Sequence, residues 1–335
     1  MKCTNKKCLF LLPLLIAGLL CYGCGEDIEI ENPYDIGVSA TNMQLSADEQ
    51  PDDDAAEASE IRFFADDLCV APEQQTSSEE VTDEAAEAIG VFLPADGSIP
   101  YQKNIYEKLY PASTTKVMTA YLALTKAKPD DMVTVSEHAV DQASDSSVCG
   151  LRAGDQIKML DLLYGLMLKS GNDAAVAVAE HVSGSEEAFV ELMNETARSF
   201  GATNTHFANP HGLHDENHYT CVYDLYLMFA RAAELEEFLN LIQTTSYTAY
   251  YTDANGAGSS QTWTNTNRYL SGEVSQPDGL TVVGGKTGTT TAAGNCLVLL
   301  SNNEKKEPVI SVIMKADTRD NLYYVMNQVL ANFAL

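Results

Sequence analysis

The sequence predicts an α+β fold in which an antiparallel sheet is flanked by helices. Three observations predict it. Strand patterns stand at both ends of the region from about residue 88 onward, helical patterns fill the space between them, and the closing strands form a hairpin with a charged turn rather than alternating with helices.

The elements follow in order. Ile89-Gly90-Val91-Phe92-Leu93 reads as a strand, Ala95-Asp96-Gly97-Ser98 as a turn, and Ile99 to Lys103 as the returning arm of a hairpin. Ser113 to Ala127, rich in Ala, Met and Leu, reads as a helix. A second is expected over Gln156 to Lys169, where Ile157, Leu160, Leu163, Tyr164 and Met167 recur at helical spacing, with Gly171 of Ser170-Gly171 suited to a left-handed cap. Asn172 to Val182 and Glu186 to Phe200 are two more helices. Ser185 is placed to cap the second, and Gly201 stops it. Leu280-Thr281-Val282-Val283 leads into a Gly-rich segment. Leu297 to Leu300 and Val309 to Met314 are apolar strands joined by the turn Asn302 to Glu307, and Asn321 to Phe333 reads as a closing helix.

Charge and composition narrow the function. The chain has 335 residues, of which 48 are acidic and 20 basic, for a net charge of −28. No nucleic-acid partner is expected, because phosphate binding needs clustered Lys and Arg. Residues 1–24 read as a signal peptide. Lys2, Lys6 and Lys7 precede an apolar run from Leu9 to Leu20. As a helix that run would span only about 18 Å, against roughly 30 Å of bilayer hydrocarbon, so it fits an export signal rather than a membrane span. Residues 25–59 hold 11 Asp or Glu and no Lys or Arg, and are expected to be a disordered acidic linker. Residues 60–335 form the expected catalytic domain, with Ile61-Arg62-Phe63-Phe64 and Leu68-Cys69-Val70 apolar enough to join its core and residues 72–87 reading as an acidic surface loop.

The signal ends at Cys21-Tyr22-Gly23-Cys24, which resembles the processing site of bacterial lipoproteins, with a small residue before a Cys that takes lipid. Cys21 stands where that pattern usually has Leu, and a bare cleavage site is the alternative. The resemblance implies lipidation at Cys24 and attachment to the outer face of the cytoplasmic membrane. Cys69, Cys149, Cys221 and Cys296 remain, without close CxxC spacing; three pairings are open, and buried free thiols are the favoured alternative.

Three groups carry chemistry. Ser113 and Lys116, in Pro111-Ala112-Ser113-Thr114-Thr115-Lys116, share a helix face at i and i+3. A hydroxyl becomes a nucleophile only when a base takes its proton, and lysine serves if burial or a nearby cation lowers its pKa. Taken alone the pair is better read as a capping Ser before a surface Lys. Ser170 and Asn172 lie in a loop between helices, where a second hydroxyl relays protons and an amide holds Lys116 or a substrate; an ordinary turn is the alternative. In Lys286-Thr287-Gly288-Thr289, Lys286 and Thr287 suit a terminal carboxylate and Gly288 lets a substrate backbone approach. The Lys286 cation keeps Lys116 neutral, and the Thr289 backbone N–H is an oxyanion donor opposite that of Ser113.

The order of the three groups, each on a suitable element, is that of penicillin-binding proteins and class A β-lactamases. With its flanks Tyr110 to Ala120, Ser170 to Ala174, Asn209-Pro210-His211-Gly212-Leu213 and Gly285 to Thr290, the chain resembles the low-molecular-weight penicillin-binding proteins that are serine D-alanyl-D-alanine carboxypeptidases. The resemblance runs from about residue 60 to the end. It implies a DD-peptidase/β-lactamase-like fold and attack by Ser113 on the D-Ala-D-Ala peptide bond of peptidoglycan stem peptides, with Lys116 as base. It also implies help from Ser170 and Asn172, carboxylate binding by Lys286 and Thr287, acylation of Ser113 by β-lactam antibiotics, and a role in cell-wall synthesis and cell shape. Arg319 is the candidate for the carboxylate-binding Arg that some members carry after the last strand. Many relatives have Tyr or His at the position of Thr289, where only the backbone is needed. Many also carry a C-terminal β-domain and anchoring helix; this sequence stops at Leu335, and a lipid on Cys24 is the expected anchor instead.

Three rivals stand beside this reading. His206, His211, His214 and His218 could suggest zinc, but their spacing is not a helical HExxH, so no metal or other cofactor is expected. A class A β-lactamase would carry Ser-Asp-Asn at Ser170-Gly171-Asn172 and would need a Glu such as Glu216 to activate water. A catalytically silent β-lactam sensor would lack part of the catalytic set, all of which is present here.

Overall fold

The computed structural model describes residues 68–71, 76, 78–144 and 146–334. The expectations for the signal peptide, Cys24, the acidic linker and Ile61 to Phe64 lie outside the described residues. Cys69 is buried, whereas its neighbour Val70 is exposed rather than part of the core.

The first hairpin pairs β1 (Ala86–Leu93) with β2 (Ser98–Lys103). A turn of 3-10 helix (Ala112–Thr115) runs into α1 (Lys116–Lys126), so the predicted helix holds, but its first four residues are wound more tightly. After β3 (Met132–Thr134) and the short α2 (Glu137–Val140), the structure departs from expectation. Gln156–Lys158 is a strand, β4, followed by α3 (Met159–Tyr164) and a π-helical turn (Gly165–Lys169). The apolar spacing carried the predicted helix three residues too far toward its N-terminus, because Ile157 points inward from a strand as well as it would from a helix.

Next come α4 (Asn172–Ser183) and α5 (Glu186–Ser199), the latter capped by Ser185, whose hydroxyl accepts from Ala188 N at 3.2 Å. Helices α6 (Val222–Ala233) and α7 (Glu236–Gln243) follow, then the hairpin β5 (Ser246–Thr252) and β6 (Gly258–Thr264) and the short α8 (Arg268–Ser271). The closing region is β7 (Thr281–Thr290), β8 (Gly294–Asn302), β9 (Pro308–Ala316) and α9 (Arg319–Phe333).

The main sheet is antiparallel in the order β2-β1-β9-β8-β7, which brings the two ends of the domain together and leaves β7 at an edge. Helix α9 packs one face over a core that includes Ile89, Leu299, Ile313 and Met326; the larger core, on the other face, is built on α1, α4 and α6. A second sheet, β3-β4-β5-β6, stands apart. Trp263 joins it to the larger core, donating from Nε1 to the Cys149 carbonyl at 3.1 Å. Cys69, Cys149, Cys221 and Cys296 are buried free thiols. No helix among the described residues is long and apolar enough to cross a membrane.

Candidate active site

The tight turn that carries Ser113 sets the geometry. A 3-10 helix has three residues per turn, so positions i and i+3 eclipse. Ser113 and Lys116 are so related, and Lys116 Nζ lies 3.0 Å from Ser113 Oγ. Entry into the turn requires Ala112 to hold φ at 49°, a conformation that L-residues avoid. Its surroundings hold it there. The Ala112 carbonyl accepts from Thr115 Oγ1 at 2.8 Å, and His218 Nε2 lies 2.8 Å from the same hydroxyl. His218 Nδ1 accepts from Ala208 N, so its proton sits on Nε2 and is donated to Thr115. Burial pushes the His218 pKa down to about 3, which keeps the ring neutral in this role.

Lys116 is wholly buried. Its amine donates to Asn172 Oδ1 at 2.8 Å and to the His211 carbonyl at 2.7 Å. Burial and the neighbouring Lys286 cation hold its pKa well below the ordinary amine range. A neutral amine has two N–H groups and one lone pair. The two acceptors take both hydrogens, which turns the lone pair toward Ser113 Oγ. That is the geometry of a general base beside a nucleophile.

Ser170 closes the π-helical turn with φ at 62°, so the left-handed cap falls on Ser170 and not on Gly171, as the sequence suggested. Gly171 is required for space instead, since a Cβ there would meet Cys149 Sγ at 2.3 Å. The strained backbone turns the Ser170 hydroxyl toward Lys286, whose Nζ donates to it at 3.0 Å and to the Thr287 carbonyl at 2.8 Å. Lys286 is also buried, and burial lowers its pKa to about 7.

Strand β7 passes directly over the Ser113 turn. A Cβ at Gly288 would come 2.9 Å from both Pro111 O and Ser113 N, so only glycine admits this approach. Thr287 Oγ1 lies 2.6 Å from Thr266 Oγ1, and Thr289 is exposed, with its hydroxyl donating to Asn295 Oδ1 at 3.2 Å. Together Ser113, Ser147, Asn172, His214 and Thr289 line a cleft of about 610 Å³ along the open edge of β7. The predicted Ser113, Lys116, Ser170, Asn172, Lys286, Thr287, Gly288 and Thr289 thus converge on one place. Arg319 is the exposed first residue of α9; it follows β9 at the end of the sheet where Ala316 pairs with Asn295 and Asn295 with Thr289, and it is not among the residues lining the cleft.

Residues that the motifs did not single out complete the site. Asp173 is buried, and its carboxylate accepts from Cys149 N at 2.8 Å, Gly150 N at 3.0 Å and Leu151 N at 3.2 Å. It anchors the end of the loop that brings Ser147 to the cleft; the Ser147 carbonyl in turn accepts from Asn172 N at 2.8 Å. The histidines have separate tasks. His206 Nδ1 meets the Asn217 carbonyl, His211 serves Lys116 through its carbonyl, His214 packs edge-on against Tyr110, and His218 holds Thr115. Among the described residues no group of three His, Cys, Asp or Glu is placed to hold a metal. Glu216 is exposed and is not among the residues lining the cleft.

Residues 73–318 match the D-alanyl-D-alanine carboxypeptidase family. The chain belongs to that family. It is 37 % identical over 229 residues to D-alanyl-D-alanine carboxypeptidase DacF of Bacillus subtilis, covering 66 % of this chain and 55 % of that protein. It is 36 % identical over 244 residues to DacC of Escherichia coli, covering 67 % and 55 %. The chain thus spans about half the length of these relatives. Among solved structures, the Streptomyces K15 DD-transpeptidase superposes with a TM-score of 0.70 at 28 % identity, over 78 % of this chain and 100 % of that one. A D-alanyl-D-alanine carboxypeptidase from Mycobacterium tuberculosis gives a TM-score of 0.67 at 25 % identity, over 79 % and 96 %. The mixed helix and antiparallel-sheet architecture is the one these DD-peptidases share.

Proposed function

We propose that the chain is a serine D-Ala-D-Ala carboxypeptidase that removes the terminal D-Ala of peptidoglycan stem peptides and is acylated by β-lactams at the same serine. One observation carries the reading: the buried Lys116 amine lies 3.0 Å from Ser113 Oγ, with Asn172 Oδ1 at 2.8 Å and the His211 carbonyl at 2.7 Å as its other partners. In this reading Ser113 Oγ bonds to the carbonyl carbon of the D-Ala-D-Ala peptide as its proton passes to Lys116. The backbone N–H groups of Ser113 and Thr289 stabilise the oxyanion. The C–N bond then breaks, and the leaving amine takes a proton by way of Ser170. Water, deprotonated by the same set of groups, releases the acyl group. Lys286 and Thr287 bind the substrate carboxylate, and Gly288 lets the peptide lie along β7 as an added strand. Arg319, at the start of α9, adds its charge to carboxylate binding.

A peptide ending in D-Ala-D-Ala is expected to release D-Ala with the native protein and not with Ser113→Ala, while a fluorescent penicillin labels only the native protein. Equal release by both proteins would sink the assignment. The basic and apolar residues 2–20 and the pair Gly23-Cys24 support export and a lipid on Cys24, holding the domain at the outer face of the membrane. Metabolic labelling with palmitate, lost in Cys24→Ser, tests that attachment; label retained in the variant would refute it.

A further inference from the structure

A chain of polar side chains runs from solvent to the loop that holds Lys116, and the reaction outlined above uses none of those side chains. It begins at His138 on α2, an imidazole with its side chain 59 % exposed. Its Nδ1 lies 2.9 Å from Glu180 Oε1 on α4, and its Nε2 lies 3.5 Å from Glu186 Oε2, at the start of α5. The other oxygen of Glu186 lies 3.8 Å from His211 Nε2. His211 Nδ1 accepts from Leu213 N at 3.2 Å, so its proton is on Nε2 and faces Glu186. The His211 carbonyl accepts from Lys116 Nζ at 2.7 Å. Three helices and the loop that holds the catalytic amine therefore meet at Glu186.

We infer that Glu186 is a positioning residue for Lys116, acting through His211, and that His138 is the counter-charge that keeps Glu186 in place. This rests on the proposed role of Lys116 as base. Glu186 is partly buried and sits beside Glu180 and Glu187, so an ionised carboxylate there needs a cation close by. His138 supplies it from α2. The groups facing the cluster are Glu180 from α4, Glu186 and Glu187 from α5, His211 from the loop, and Lys116 and His218 behind His211. The Glu180 hydrogen bond raises the His138 pKa above its ordinary value, whereas burial lowers that of His211 to about 3 and keeps it neutral. As pH rises through the raised His138 pKa, the cation is lost while the carboxylates remain. Glu186 then has no partner on the α2 side, the His211 loop loses its stop, and the carbonyl that fixes Lys116 shifts.

The consequence is a pH dependence that belongs to His138. His138→Lys keeps a cation at every working pH, and His138→Gln has none. The rate of Ser113 labelling by a saturating fluorescent penicillin is measured for each from pH 6 to 9 and divided by the wild-type rate, which cancels the titrations of Lys116 and Lys286 common to all. For His138→Lys the ratio is expected near one at the acid end and to rise to about tenfold at the alkaline end. For His138→Gln it is expected to climb from about one tenth to one, a size suited to a sub-ångström misplacement of a catalytic group. The half-saturating penicillin concentration stays unchanged, since no binding group is touched. In Glu186→Gln, which keeps an acceptor for His211 but carries no charge, further substitution of His138 has no effect. Ratios that stay flat with pH, or a His138 effect that persists in Glu186→Gln, overturn the inference while Ser113 is still labelled. A wild-type protein that labels nowhere overturns both the functional reading and this one.

Discussion

Gly212 bears on Ser113 without touching it. Its φ is +90°, and a Cβ built there would lie 1.9 Å from the Ala112 carbonyl oxygen and 2.9 Å from Thr115 Oγ1. Gly212→Ala therefore carries two penalties. An L-residue in this backbone region costs about 1–2 kcal/mol. The contact must also open by more than an ångström to approach an ordinary separation of about 3.5 Å, and such overpacking costs a further 1–3 kcal/mol or so. Gly184 isolates the first penalty. It caps α4 at φ +81° with nothing within 4 Å of a Cβ. Gly184→Ala should lower the melting temperature by roughly 2–8 °C, at about 2–4 °C per kcal/mol for a domain somewhat smaller than this one, and leave penicillin acylation unchanged. Gly212→Ala should melt several degrees lower still.

The larger difference lies in the rate. Ala112 is already strained and is fixed by Thr115 and, behind it, His218. Pushing its carbonyl away moves the next residue, Ser113, off the Lys116 amine, and a displacement near 1 Å costs about a hundredfold in rate. Stopped-flow acylation of the two variants at a temperature where both are folded decides the point. A folded Gly212→Ala protein that acylates within about threefold of wild type would refute the idea that the Ala112–Gly212 contact aims the nucleophile.

Two further outcomes follow from the buried polar groups. Ser170→Ala and Ser170→Gly both remove the hydroxyl that accepts from Lys286 and should reduce acylation alike. The glycine variant should nevertheless unfold about 1 kcal/mol later in urea, because φ at 62° suits it and strains alanine; equal stability of the two would show that the strain is not real. Lys286, with its pKa lowered to about 7 by burial, loses its charge as pH rises through that value, so KM for a carboxylate-terminated peptide should rise above pH 7. Stability should move the other way: between about 7 and the ordinary amine value the unfolded chain binds the proton that the folded one has released, and folding gains as pH rises. A KM that is flat from pH 6 to 9, or stability that falls over that window, would contradict the assignment.

The proposed nucleophile, the amines and the strand glycine were legible in the sequence because the chemistry proposed for them depends on residue type at fixed spacing, and Ser113, Lys116, Ser170, Asn172 and Lys286 lie together in the structure. The first and last strands in chain order and the closing helix were equally plain, since apolar runs such as Val309 to Met314 leave little choice. The hairpin β5–β6 was not. Its strands are mostly Ser, Thr and Tyr with exposed alternate residues, and Trp263 is the only large side chain on β6 that reaches the core. Neither was the left-handed Ser170, because sequence preference assigns that conformation to the adjacent glycine, and only the crowding of Gly171 against Cys149 shows why the roles are exchanged.

The groups left unread share a physical property: they act on backbone atoms, directly or through one intervening side chain. Asp173 binds three successive N–H groups, His218 works through Thr115 on the Ala112 carbonyl, and Gly212 is needed because that same carbonyl stands in its way. Every residue has an N–H or a C=O, so such contacts leave no pairing of residue types for a motif to capture. Yet these contacts set the positions of Ser113 and Ser147, and the His211 carbonyl sets that of Lys116. Substitutions at Asp173, Gly212 and His218 should therefore disable the site while every recognisable catalytic side chain is still present, so an intact set of motifs is necessary for the reaction but does not guarantee it.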